Sequence, residues 1–135
     1  MKPDPQLNRI APDAMPDDMA SAWRHSMDLR GDATFFEVFA NHPELYRWYV
    51  NQFYGDVFRG GKVAQRYKEL LRLRLSTLHG CRFCNQGNRL DAIEAGLTEA
   101  QIAAFESPES GTFTPAELAV LALGAELALT NSTGV

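Results

Sequence analysis

A chain of 135 residues, 45% apolar and 22% charged, is long enough to bury a core without staples, so its two cysteines are not there to hold the fold together. Its formal charge of −4 supplies no basic field for nucleic acid, which excludes that class of partner. No positively charged start leads into an apolar segment, and no apolar run approaches the ~20 residues that cross a bilayer. The expectation is therefore a cytoplasmic protein without a membrane partner. In a reducing compartment a close cysteine pair is more often catalytic or metal-binding than structural.

The opening carries Pro3, Pro5, Pro12 and Pro16, which lack the N–H that a helix interior uses, so residues 1–16 read as an arm or loop. Over 17–29, Met19, Ala20, Trp23 and Met27 recur at three- and four-residue intervals, and Gly31 is the stop signal. Asp32 is placed to cap a short helix over 33–40 whose Phe35, Phe36 and Phe39 form an apolar face. The chain restarts at Asn41-His42-Pro43. Residues 44–58 carry Leu45, Trp48, Tyr49, Phe53, Val57 and Phe58 at helical spacing, ending at Gly60-Gly61. Such a stripe reads as core, with an apolar substrate wall as the alternative.

A helix over 63–77 turns Tyr67, Leu70, Leu71, Leu75 and Leu78 inward, and its basic residues Lys62, Arg66, Lys68, Arg72 and Arg74 read as a solvated face. His79-Gly80 breaks that helix. Another follows over 81–95, with Gly96 where a left-handed C-terminal cap belongs. Thr98 with Gln101, and Thr114 with Glu117, are capping-box pairs that open helices over 99–105 and 115–130, the second reinforced by Pro115. There is no alternating apolar-polar run and no internal repeat. The fold class is all-α, about six or seven helices, with one domain over 17–135. The sequon Asn131-Ser132-Thr133 carries no weight without a secretory signal.

The chemistry gathers in residues 69–89, ELLRLRLSTLHGCRFCNQGNR, which hold both cysteines as Cys81-x-x-Cys84. At the first turn of a helix, positions i and i+3 share a side, and the free N–H groups there favour a thiolate, the form that attacks peroxides and disulfides. A thioredoxin-type site needs a preceding strand, and this chain offers none. His79, two residues before Cys81, either transfers protons or bonds loop backbone. Glu69 reads either as a proton-relay carboxylate or as a solvent-facing partner of Arg66, Arg72 or Lys62. Ser76 lies two turns beyond Glu69 on the same face, within reach of a Glu69–Ser76–thiol chain. His25 and His42 read as surface or capping residues. His79, Cys81 and Cys84 are three potential zinc ligands, but a structural site needs a fourth.

Glu69, Cys81, Cys84 and the trailing AIEAGLTEAQI resemble the AhpD-like (alkylhydroperoxidase D-like) proteins of the carboxymuconolactone decarboxylase family. Their pattern is a glutamate, twelve residues to the first cysteine, C-x-x-C, and a histidine four residues after the second. The first three terms are met, and Asn88 stands where the histidine belongs. The resemblance implies an all-helical bundle with the C-x-x-C at a helix N-terminus, assembled as a homo-oligomer (dimer, trimer or hexamer). It implies catalytic roles for Cys81, Cys84 and Glu69 in reducing a peroxide substrate, regeneration by an external thiol or lipoyl-type dithiol, and no bound cofactor or metal. It also implies that longer members continue beyond this C-terminus. The family assigns attack to Cys84; the helix start and His79 make Cys81 an equal candidate. Asn88 cannot titrate, yet its amide lies on the cysteine face at i+4 from Cys84 and can donate to a thiolate. A poorly turning-over redox sensor or interaction protein is thus the alternative, and a lactone decarboxylase a more distant one.

Overall fold

The computed structural model describes residues 6–109 and 111–130; Pro3, Pro5 and the sequon at Asn131 lie outside them. Among the described residues all regular structure is helical: α1 (Asp17–Arg30), α2 (Thr34–Phe39), α3 (Pro43–Trp48), α4 (Gln65–Leu78), α5 (Arg82–Glu94), α6 (Glu99–Ala103) and α7 (Pro115–Ala125). A 3-10 turn precedes α1, and π-helical segments follow α3 (Tyr49–Phe58) and α7 (Glu126–Thr130). The all-α expectation holds. Contacts divide the chain into two compact units, Met1–Gly61 and Lys62–Val135, at the glycine pair expected to end the third long helix.

In the first unit, α1 ends where Gly31 adopts φ 65° and its N–H returns to the Met27 carbonyl. Met15, Met19, Ala20 and Tyr46 form the core, with Trp23, Phe36 and Phe39 packed on it. Ser26 is buried where Met27 was expected, because its hydroxyl donates to the Asp32 carbonyl at 2.7 Å. Asp32 accepts the Thr34 N–H at 2.9 Å from one residue before the N-cap, which is Ala33 and not the Asp32 expected, because α2 begins a residue later than the sequence placed it. His42 is a cap, its Nδ1 accepting the Leu45 N–H.

The aromatic stripe departs from expectation. It starts as α3 and widens into the ten-residue π-helical segment, where positions five apart become neighbours. Tyr49 therefore lies against both Phe53 and Tyr54, at ring-centroid distances of 5.8 and 4.9 Å. Only Tyr46 is buried. Trp48 is 52% and Val57 67% exposed, and Leu45 and Phe53 are exposed too. The rings pack on one another along the segment, and Phe35 and Phe39 of α2 meet it at Tyr49.

In the second unit α4 is central, packed on α5 and α7. The core is Leu70, Leu73, Ala92, Leu97, Phe105, Phe113 and Leu121. Gly124 lets α7 come close: a Cβ there would meet Arg74 Cγ at 3.0 Å and Leu71 Cδ1 at 3.3 Å. Both capping boxes form, at Thr98/Gln101 and Thr114/Glu117. The basic face of α4 is not simply solvated. Arg66 Nε donates to the buried Glu117 at 2.7 Å and a terminal nitrogen donates to the Gly96 carbonyl, while Arg74 is buried and donates to the Phe105 carbonyl. These cations serve as ties between elements, which patterning by polarity cannot distinguish from a wet face. Burial alone would raise the Glu117 carboxyl; hydrogen bonds from the Thr114 backbone, Arg66 and the Thr114 hydroxyl outweigh it and hold it below the usual range.

Candidate functional site

The site is built by the turn between α4 and α5. His79 caps α4 and Gly80 takes φ 64°, a left-handed conformation that glycine adopts without cost. The Gly80 N–H then bonds to the Thr77 carbonyl at 3.1 Å and the Cys81 N–H to the Ser76 carbonyl at 3.0 Å, the paired bonds of a Schellman motif. That motif delivers Cys81 directly to the N-cap of α5. No connecting residue intervenes, so the last turn of one helix fixes where the next begins.

Cys81 and Cys84 are joined as a disulfide, with Cα atoms 5.3 Å apart. Cys84 is the third residue of α5, and its N–H donates to the Cys81 sulfur at 3.3 Å. Both cysteines are half-buried, at the end of the helix hairpin. Cys81 thus accepts a backbone N–H at the positive end of α5, an interaction that strengthens when the sulfur carries charge.

The other candidate residues fall on either side of this pair. Glu69 is 4% exposed, not solvent-facing. Gln65 Nε2 donates to its Oε1 at 2.7 Å, and Arg72 Nη2 lies 2.6 Å from its Oε2. Arg72 was one of the partners read for it; the burial was not foreseen. Ser76 is also buried, but its hydroxyl donates to the Leu73 carbonyl at 3.0 Å, and no hydrogen bond runs from Glu69 to Ser76 or to either sulfur among the described residues. Asn88 lies on the α4-facing side of α5, its amide reaching the Arg72 carbonyl at 3.5 Å, the long end of a hydrogen bond. His79 is exposed, its backbone N–H bonded to the Leu75 carbonyl at 3.0 Å. His25 is exposed in α1.

Two residues near the site were missed. Asp91, seven residues after Cys84 and so on the same face of α5, binds the Arg72 guanidinium. Gln65 holds Glu69 from one turn before it. The i, i+4 spacing of Gln65 and Glu69 was available in the sequence; the pairing of Asp91 with Arg72 depends on how α4 and α5 pack. Among the described residues no group of three or more His, Cys, Asp or Glu is arranged to hold a metal ion, and both potential sulfur ligands are engaged in the disulfide.

The fold and site together define an all-α protein carrying a C-x-x-C disulfide at a helix start. The model of the carboxymuconolactone decarboxylase family matches residues 43–126, from α3 through α7 and across both cysteines. That is more than half of the chain, and the chain belongs to this family. No curated protein and no solved structure gives a significant match. Among the described residues no helix is long and apolar enough to cross a membrane.

Proposed function

We propose that this protein is a thiol-dependent peroxidase or disulfide reductase of the AhpD-like kind, cycling Cys81 and Cys84 between dithiol and disulfide. The observation that carries the reading is the pair itself: two half-buried sulfurs bonded to each other at the N-terminus of α5, with a backbone N–H already directed at one of them. In the reduced protein one thiolate attacks the peroxide O–O bond, becoming a sulfenic acid and releasing an alcohol or water. The second thiol condenses with it to give the disulfide and water. An external thiol or lipoyl-type dithiol then restores both thiols by exchange and is itself oxidised. The N-cap position favours Cys81 as the attacking sulfur, since its thiolate gains from the Cys84 N–H and the helix end.

Turnover of hydrogen peroxide and cumene hydroperoxide, driven by dithiothreitol or dihydrolipoamide, tests this. Cys84→Ser should still form a sulfenic acid at Cys81 that dimedone traps, whereas Cys81→Ser should trap far more slowly. A rate no better than free dithiothreitol would remove the peroxidase reading. A redox-sensing or interaction protein would then be favoured, and Asn88 supports that second reading because an amide cannot carry a proton to or from the pair. The exposed Trp48 and Val57 support a homo-oligomer, with light scattering after size-exclusion chromatography as the test of assembly.

A further inference from the structure

The helices that carry the site are tied to each other through one guanidinium. Arg72 Nη2 contacts Glu69 within α4 and reaches across to Asp91 on α5, while the backbone carbonyl of the same residue accepts the Asn88 amide. Asn88 and Asp91 follow Cys84 at i+4 and i+7, so residue 72 grips two consecutive turns of the helix face that bears the second cysteine. Glu69 shares its cation with Asp91. Seven residues of α5 separate Asp91 from Cys84, about 10 Å along the axis.

The geometry points to Arg72 as a positioning residue for the dithiol–disulfide pair: it clamps α5 to α4 through Asp91 while contacting Glu69 on its own helix. The inference rests on the reading that Cys81 and Cys84 cycle. Its consequence is that the disulfide owes part of its stability to a contact two turns away, because a helix start held in place keeps the two sulfurs at high effective concentration. Both contacts are made by the one nitrogen Nη2, which stands an atom farther from the backbone than a lysine ammonium, so a lysine at 72 keeps the charge without the full reach.

The test is the equilibrium between the protein disulfide and dithiothreitol, in which the protein gains two electrons and two protons as the reagent closes to its cyclic disulfide. Arg72→Met and Asp91→Ala should each shift that equilibrium towards the reduced protein by roughly threefold or more, and the double variant should shift it little further than Arg72→Met alone. Arg72→Lys should recover only part of the loss. The clamp is overturned if Asp91→Ala leaves the equilibrium unchanged or if the two effects add. Asp91 is 42% exposed, so its variant remains informative should Arg72→Met not fold. A pair that cannot be reduced and reoxidised at all would instead sink the redox reading, and that outcome is distinct from each of these.

Discussion

Replacing Gly80 by alanine tests the turn that places the cysteines. The residue has φ 64°, and a Cβ added there meets no atom within 4 Å, so the whole effect is conformational. An L-residue in the left-handed region costs about 1–2 kcal/mol, and the stiffer unfolded chain of the alanine variant gives back about 0.4–1 kcal/mol. The net expectation is a loss of about 1 kcal/mol, a fall in Tm of about 3–5 °C for a protein of this size. Asparagine tolerates the same region, so Gly80→Asn should cost about half as much. Urea unfolding followed by far-ultraviolet circular dichroism, with the disulfide intact, measures both. Gly111→Ala is the control: its φ is not positive and nothing lies within 4 Å of its Cβ. If Gly80→Ala unfolds with the parent, or Gly80→Asn is as damaging as alanine, the Schellman turn is not what sets the start of α5.

Gly124→Ala should be destabilising by about 1 kcal/mol despite the better helix propensity of alanine, because Arg74 Cγ is 3.0 Å from the new methyl and the Arg74 side chain is anchored at the Phe105 carbonyl; thermal melts decide it. Glu117→Gln addresses acid stability. Its carboxyl is held below the usual value of 4.5, so the unfolded chain binds the proton more readily and the stabilisation is complete above that value, then lost as pH falls through the folded one. The glutamine variant should show a flatter loss of stability with acid in urea titrations between about pH 3 and pH 7, and an equally steep one would contradict the assignment. Asn88→His places a titratable ring on the α4-facing side of α5, four residues beyond Cys84. It should raise peroxide turnover at least about tenfold, with a pH dependence near the ordinary imidazole value of about 6.5. Stopped-flow peroxide consumption would expose a failure as an unchanged rate.

How much of this was legible beforehand depends on whether a residue's partner is local. The caps were readable because their donors and acceptors lie within four residues: Thr98 with Gln101, Thr114 with Glu117, and His79-Gly80 as the break before Cys81. The cysteine pair was readable for the same reason, since the i, i+3 spacing and the helix start already place the sulfurs together. Burial on α4 was not. The helix has apolar residues on several sides, and the ones expected inside included Tyr67, Leu71 and Leu75, which are half-buried, while Glu69, Arg74 and Ser76 are buried outright. Each of those polar groups is met by a partner: Arg72, the Phe105 carbonyl and the Leu73 carbonyl. A polarity pattern registers the charge but not the tertiary acceptor that makes its burial tolerable.

The same distinction bears on what the cysteines can do. A peroxide-reducing pair has two needs, a thiolate at rest and a proton for the departing oxygen, and here they have different structural sources. On the proposed reading the first is local: the Cys84 N–H at the N-terminus of α5 would favour a thiolate at Cys81 in the reduced protein. The second would come from a titratable group beside the sulfurs; on the α4-facing side of α5 that place is taken by an asparagine bonded to backbone, which leaves the exposed His79, two residues before Cys81, as the nearby imidazole in sequence. On that reading the asparagine at 88 favours thiol–disulfide exchange, in which a thiolate attacks and a thiolate leaves, over cleavage of an O–O bond. Exchange with a dithiol should accordingly run faster than peroxide reduction on this protein. The order should reverse in Asn88→His, because that substitution alters the supply of protons and leaves the helix start untouched.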